Sequence, residues 1–267
     1  MQLLLQPIQI LMLKRLLHIA GLQSHSKYLR HRYFPSKTQR DDRKMIPERL
    51  SFYKRFVNPG DLCFDVGANI GNRTEVFLSL GAQVVAIEPQ RECAKILKLR
   101  FGNKIQLKQM ALGESETSAQ IYISETSEIS SLSKEWIDSV SQSRFSTTQW
   151  NKTESVEITT LDTLITSYGL PKFCKIDVEG YEEEVLKGLS QRIQFISFEY
   201  TIPERLTNFY NCISLLSKID NFQCNYTIGE RMEFELTEWV SKEELKDRIS
   251  SLSEKSLYGD IYIRFSI

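Results

Sequence analysis

From about residue 60 the chain alternates short apolar runs with longer stretches of helical periodicity, and this restricts it to a mainly parallel sheet covered by helices. The turn Asn58-Pro59-Gly60-Asp61 opens the pattern. Strands are expected at Leu62–Val66, Gln83–Ile87, 105–112, Phe173–Ile176, 195–199 and, last, 257–265. Helices are expected over 71–80, Arg91–Phe101 and 181–189, with another starting at Pro203 and running to about Lys218. Residues 118–123 and 156–158 read as edge strands flanking a polar insertion at about 125–155. Within it Leu132, Trp136 and Val140 recur at a spacing that gives one short amphipathic helix. With 267 residues and 41% hydrophobic content, a sizeable core is available. The expected organisation is a basic, partly helical extension over residues 1–50 and one α/β domain over 51–267.

Charge is unevenly placed. Seven of the 34 basic residues, Lys14, Arg15, Lys27, Arg30, Arg32, Lys37 and Arg40, fall in residues 1–40 with no acid among them, which leaves 27 basic against 34 acidic residues behind. The front is thus +7 and the remainder −7. A net acidic domain repels a phosphate backbone, so nucleic acid is not the expected substrate. The basic front reads either as a solvated helical extension packed on the domain or as a contact for an anionic membrane surface or an acidic partner. Its Leu- and Ile-rich first residues are broken by Gln2, Gln6, Pro7 and Gln9 and precede the basic ones, which fits neither a signal peptide nor a membrane span but leaves an interfacial segment open. The five cysteines form no Cys-x-x-Cys pair, as in a cytoplasmic protein with reduced thiols.

Between the first expected strand and helix lies Asp65-Val66-Gly67-Ala68-Asn69-Ile70-Gly71. Gly67 and Gly71 let such a turn bend sharply and approach a ligand. A dinucleotide loop would read Gly-x-Gly-x-x-Gly; here the middle position is Asn69, which favours a nucleoside with an amino-acid tail over a pyrophosphate. Glu88 ends the second strand before Pro89, where a carboxylate can accept both ribose hydroxyls, each charge-assisted bond contributing roughly 1.5–3 kcal/mol. A NAD-dependent oxidoreductase, and a non-catalytic partner that keeps the nucleoside pocket, are the alternatives.

Phe64–Gly71, Ala86-Ile87-Glu88-Pro89, Ala111-Leu112-Gly113, Thr160-Leu161-Asp162 and Lys175-Ile176-Asp177-Val178-Glu179-Gly180 occur in the order seen in the FkbM family of methyltransferases, which the chain resembles over about residues 55–265. The resemblance implies a Rossmann-like class I methyltransferase fold, with a mostly parallel seven-stranded sheet, helices on both faces and an antiparallel C-terminal strand. It implies S-adenosylmethionine as donor and an oxygen acceptor on a sugar, glycan or secondary metabolite. By carry-over, Asp65, Gly67, Asn69 and Gly71 hold the amino-acid end, Glu88 with Pro89 the ribose, and the backbone of Ala111 and Leu112 the adenine.

Methyl transfer from a sulfonium is an in-line displacement, in which positioning supplies about 7–11 kcal/mol. A base for the acceptor hydroxyl adds about 10²–10⁴ in rate. His18, His25 and His31 all lie in the basic front, so carboxylates at the strand edge are the candidates: Asp177 nearest the methyl group, with Glu179 or Glu199 taking the proton. Three such carboxylates are also a donor set for Mg²⁺. The insertion reads either as a lid, with Trp136 stacking on a sugar, or as a plain surface excursion. Glu182, Glu183 and Glu184 read as helix N-terminal acids off the buried face.

Overall fold

Strand β1 (Leu62–Val66) is buried from Cys63 onward, as a central strand of a parallel sheet must be. The computed structural model describes residues 23–124, 129–252 and 255–266. Helices α1 (Gln23–Tyr33), α2 (Lys37–Lys44) and α3 (Ile46–Tyr53) precede β1. Then follow α4 (Asn72–Ser79), β2 (Gln83–Ile87), α5 (Arg91–Phe101), β3 (Ile105–Lys108), β4 (Ala111–Leu112) and β5 (Thr117–Ile123). Next come α6 (Lys134–Ser141), β6 (Lys152–Thr159), α7 (Leu161–Tyr168), β7 (Phe173–Ile176), α8 (Glu182–Lys187) and β8 (Phe195–Ile202). The chain closes with α9 (Leu206–Ile219), β9 (Phe222–Tyr226), α10 (Lys242–Ser251) and β10 (Leu257–Phe265).

The main sheet has seven strands in the order β3-β2-β1-β7-β8-β10-β9, parallel except for β10, which runs antiparallel to both its neighbours. This is the Rossmann-like architecture expected. Strand order reverses between β1 and β7, and the crevice at such a switch point is where open α/β sheets bind ligands. Alternation along the strands sends Phe64, Val66 and Ile176 into a core with α7, α8 and α9, and Cys63, Phe173 and Tyr262 into a second core with Phe52, Tyr53 and Phe77.

Several expectations change in detail. The boundary drawn at residue 50 falls inside α3, whose Phe52 and Tyr53 belong to the second core. The strand expected over 105–112 divides: β3 stays in the main sheet, while β4 joins β5 and β6 in a separate three-stranded sheet, where β5 is an edge as expected but β6 is the central strand, paired on both sides. The helix after the cis Ile202–Pro203 peptide starts at Leu206 rather than at Pro203. All five cysteines are free and buried, and burial pushes the Cys224 thiol up to about 12. Among the described residues no helix is long and apolar enough to cross a membrane. Residues 1–22, with Lys14, Arg15 and His18, lie outside the described residues.

Candidate active site

A cavity of about 670 Å³ lies over the β1/β7 edge, and every residue expected to hold the cofactor or act in catalysis except Gly71 lines it. Each end of this wall is built by the same device. Glu88, 2% exposed, accepts the amides of Asn69 and Gln90 at 2.7 Å, one on each oxygen. Asn69 turns its amide inward by taking a left-handed conformation (φ 49°). On the other side Glu182, also 2% exposed, accepts the amides of Gly180 (3.0 Å) and Val178 (3.3 Å), and here Glu179 is the left-handed residue (φ 53°). Burial raises both carboxyls to about 7 against the pull of those amides. Glu182 is therefore a buried brace under the Asp177–Gly180 loop rather than an acid off the buried face.

The glycines serve the protein before any ligand. A Cβ on Gly67 (φ 81°) would lie 1.8 Å from the carbonyl oxygen of Asp177, and one on Gly71 2.4 Å from the Phe101 ring. The β1 and β7 loops thus touch where only hydrogen fits. Arg100 donates to the carbonyl of Ile70 and pairs with Glu75 at 2.7 Å, holding the far side of the first loop.

Beneath the loops lies a buried charge network. Asp65, 1% exposed, accepts from the Thr74 hydroxyl at 2.5 Å; burial raises its carboxyl, with the Thr74 bond and Lys175 opposing. Lys175, paired across the sheet with Asp65, reaches Asp177 (2.9 Å) and Asp260 (3.5 Å). Burial opposes its charge, yet those two carboxylates outweigh it and raise its pKa well above the ordinary value. Arg73 and Arg49 share Glu230, at 2.7 and 3.5 Å, and Arg49 also holds Asp42 at 2.6 Å. Glu230 itself is 61% exposed at the rim of this network, and Arg73, Lys175 and Arg49 hold its carboxyl down at about 2.

At the opposite end, carboxylate oxygens of Asp177, Glu179 and Glu199 lie within 4.8 Å of one another. Glu199 sits on β8 facing Asp260 of β10. Burial first, then repulsion from Glu179 and Asp177, raises its pKa well above the ordinary carboxylate value.

The insertion covers this end. Ser131 donates to the Glu179 carbonyl (2.6 Å), and Arg144 pairs with Glu204 (3.1 Å) while donating to the carbonyls of Ile202 and Leu257, both at 2.9 Å. Trp136 is 2% exposed, wedged against Gly180 and edge-on to Trp150. Its ring is the hub that seats the insertion on the Asp177–Gly180 loop, and this burial corrects the expectation that it is available to stack on a sugar. Met110, Ala111 and Leu112 supply an apolar wall on the Glu88 side.

Sequence reasoning missed Arg49, Arg73, Lys175, Glu230 and Asp260. For Lys175 the signal was present, a cation inside the fully buried strand Phe173–Ile176. For Arg73 and Glu230, partners 157 residues apart, there was none.

Among solved structures the chain is similar to precorrin-6y C5,15-methyltransferase from Geobacter metallireducens GS-15, at 9% identity over 83% of this chain and 89% of that one, with a TM-score of 0.42. It is also similar to precorrin 8W decarboxylase from Methanobacterium thermoautotrophicum, at 12% identity over 81% and 89% of the two chains, with a TM-score of 0.41. No curated protein sequence matches. The model of the methyltransferase FkbM domain matches residues 65–245, more than half of the chain and the whole span from Asp65 to Glu230. The chain belongs to the methyltransferase FkbM domain family.

Proposed function

We propose that this methyltransferase carries a methyl group from S-adenosylmethionine to a hydroxyl oxygen of a sugar, glycan or secondary metabolite, with Glu199 as the base. The observation that carries the reading is the distribution of charge around the cavity. Its wall holds Asp42, Asp65, Glu88, Asp177, Glu179, Glu199 and Glu230 against Arg49, Arg73, Arg144 and Lys175. An acidic wall suits a sulfonium cofactor, net positive with its amino group, and disfavours the pyrophosphate of a nicotinamide dinucleotide. In this reading Asp65, Gly67 and Asn69 face the amino-acid end, Glu88 beside Pro89 takes the ribose, and Met110 to Leu112 flank the adenine. Gly71 shapes the turn from behind.

The reaction balances simply. The acceptor oxygen forms a bond to the methyl carbon as the carbon–sulfur bond breaks, the sulfur keeps the electron pair, and the hydroxyl proton passes to Glu199. A carboxylate whose proton affinity is raised above the ordinary value is a stronger base than an unperturbed one. Asp177, fixed by Lys175, orients the reacting groups. Glu199→Gln should lower kcat for labelled methyl transfer by about 10²–10⁴ while calorimetry finds the cofactor Kd unchanged. Full activity in that variant would remove Glu199 from the chemistry. Loss of activity on exhaustive chelation would instead assign the three clustered carboxylates to a divalent cation.

A further inference from the structure

The cavity does not use the outer face of the first helix. On one side α1 is fixed to the domain: Ser24 is buried and its hydroxyl donates to Glu92 of α5 at 2.8 Å. The other side is bare. Leu29 and Tyr33, one helical turn apart, are 50% and 64% exposed, and Phe34 just beyond is 80% exposed. These are three of the five exposed large hydrophobic side chains among the described residues. Around them Lys27, Arg30, Arg32, Lys37 and Arg40 are all exposed, and no acid precedes Asp41. The Arg32 guanidinium lies 5.7 Å from the Tyr33 ring centre.

We propose that this face docks on an anionic membrane surface. Cations alone would suit any polyanion, but solvent-exposed Leu, Tyr and Phe set among them match an interface with an acyl layer below the charged headgroups. Complementarity also fixes the orientation. The chain behind residue 40 is −7 overall, so the excess of positive charge lies in residues 1–40, which carry this face. The preceding 22 residues continue the same chemistry, rich in Leu and Ile with Lys14 and Arg15 as their only charges. Helix α2 joins this surface to the site, since it exposes Lys37 and Arg40 while Gln39 and Asp42 line the cavity.

The test is sedimentation of the full chain with vesicles of phosphatidylcholine alone or with added phosphatidylserine. Binding is expected only to the anionic vesicles and should fade as salt shortens the screening length. Each basic residue near the surface contributes about fivefold, so K27Q/R30Q/R32Q together should lower partitioning by about 100-fold. Y33S/F34S should also weaken vesicle binding, by about tenfold, but should leave binding to polyuridylate unchanged. Equal binding to neutral vesicles, or no binding to anionic ones, overturns the proposal. So does retention of polyuridylate with no vesicle binding, which would assign the face to a nucleic acid or an acidic protein.

Discussion

Glu88 shows how one side chain can carry both a fold and a ligand. Its oxygens already receive two backbone amides, and each has a lone pair left for a ribose hydroxyl. The carboxyl titrates at about 7 in the folded chain against 4.5 when unfolded. Below pH 4.5 both states hold the proton; between 4.5 and about 7 only the folded state keeps it, so the ligand-free protein loses stability as pH rises through that window, by about 3 kcal/mol for this group. Thermal unfolding followed from pH 4 to 8 should show this decline, and Glu88→Gln should make it shallower, with the share of Glu182 remaining. The same variant should bind S-adenosylmethionine roughly 10–100-fold more weakly, as expected when one or two charge-assisted bonds of about 1.5–3 kcal/mol each are weakened. An unchanged Kd would separate Glu88 from the ribose and leave it a purely structural brace.

The elements meet through glycine at two points, and the second of them couples the insertion to the Asp177–Gly180 loop. Gly180 (φ 87°) lies under Trp136 so closely that a Cβ would stand 2.4 Å from its ring. Gly180→Ala must push α6 outward or distort the Asp177–Gly180 loop, at about 1–3 kcal/mol for overpacking with a further penalty for the backbone. It should therefore lower the melting temperature and raise the acceptor KM more than the cofactor Kd; equal effects on both would mean that the loop, not the insertion, had moved. Much of this was legible in advance where chain neighbours decide it. The β1 loop, Glu88 and the Lys175–Gly180 motif all sit at strand ends whose hydrophobic runs are plain. What escaped was settled by distant pairing. Strand β9 alternates apolar and polar as Phe-Gln-Cys-Asn-Tyr, but over five residues only, and α10 buries only Leu245 and Ile249, so each signal is too short to stand out. Glu182 looked like a first-turn acid because nothing local reveals that the preceding loop folds back over it.

For the whole molecule, the question is how much chain the site requires. Arg49 and Asp42 come from the helices before β1, Asp260 from the last strand, and Glu230 from the loop after β9. β10 runs between β8 and β9, so it completes the sheet rather than decorating it. A chain trimmed to residues 65–245 should show no cooperative unfolding transition by calorimetry, whereas one covering 37–267 should melt as a unit and still bind cofactor. Cooperative melting of the shorter chain would mean that β1, β7 and β8 with their helices suffice.

The two arginines on Glu230 therefore have a consequence for how such a protein can vary. Arg49 and Arg73 stand on either side of β1, and the acid they share lies far along the chain. Exchanging Glu230 alone would leave the buried Arg73 guanidinium without this carboxylate, so the segment before β1, the loop after it and the stretch after β9 constrain one another. Through Arg49 this charge cluster reaches outside residues 65–245, the span that the family model matches.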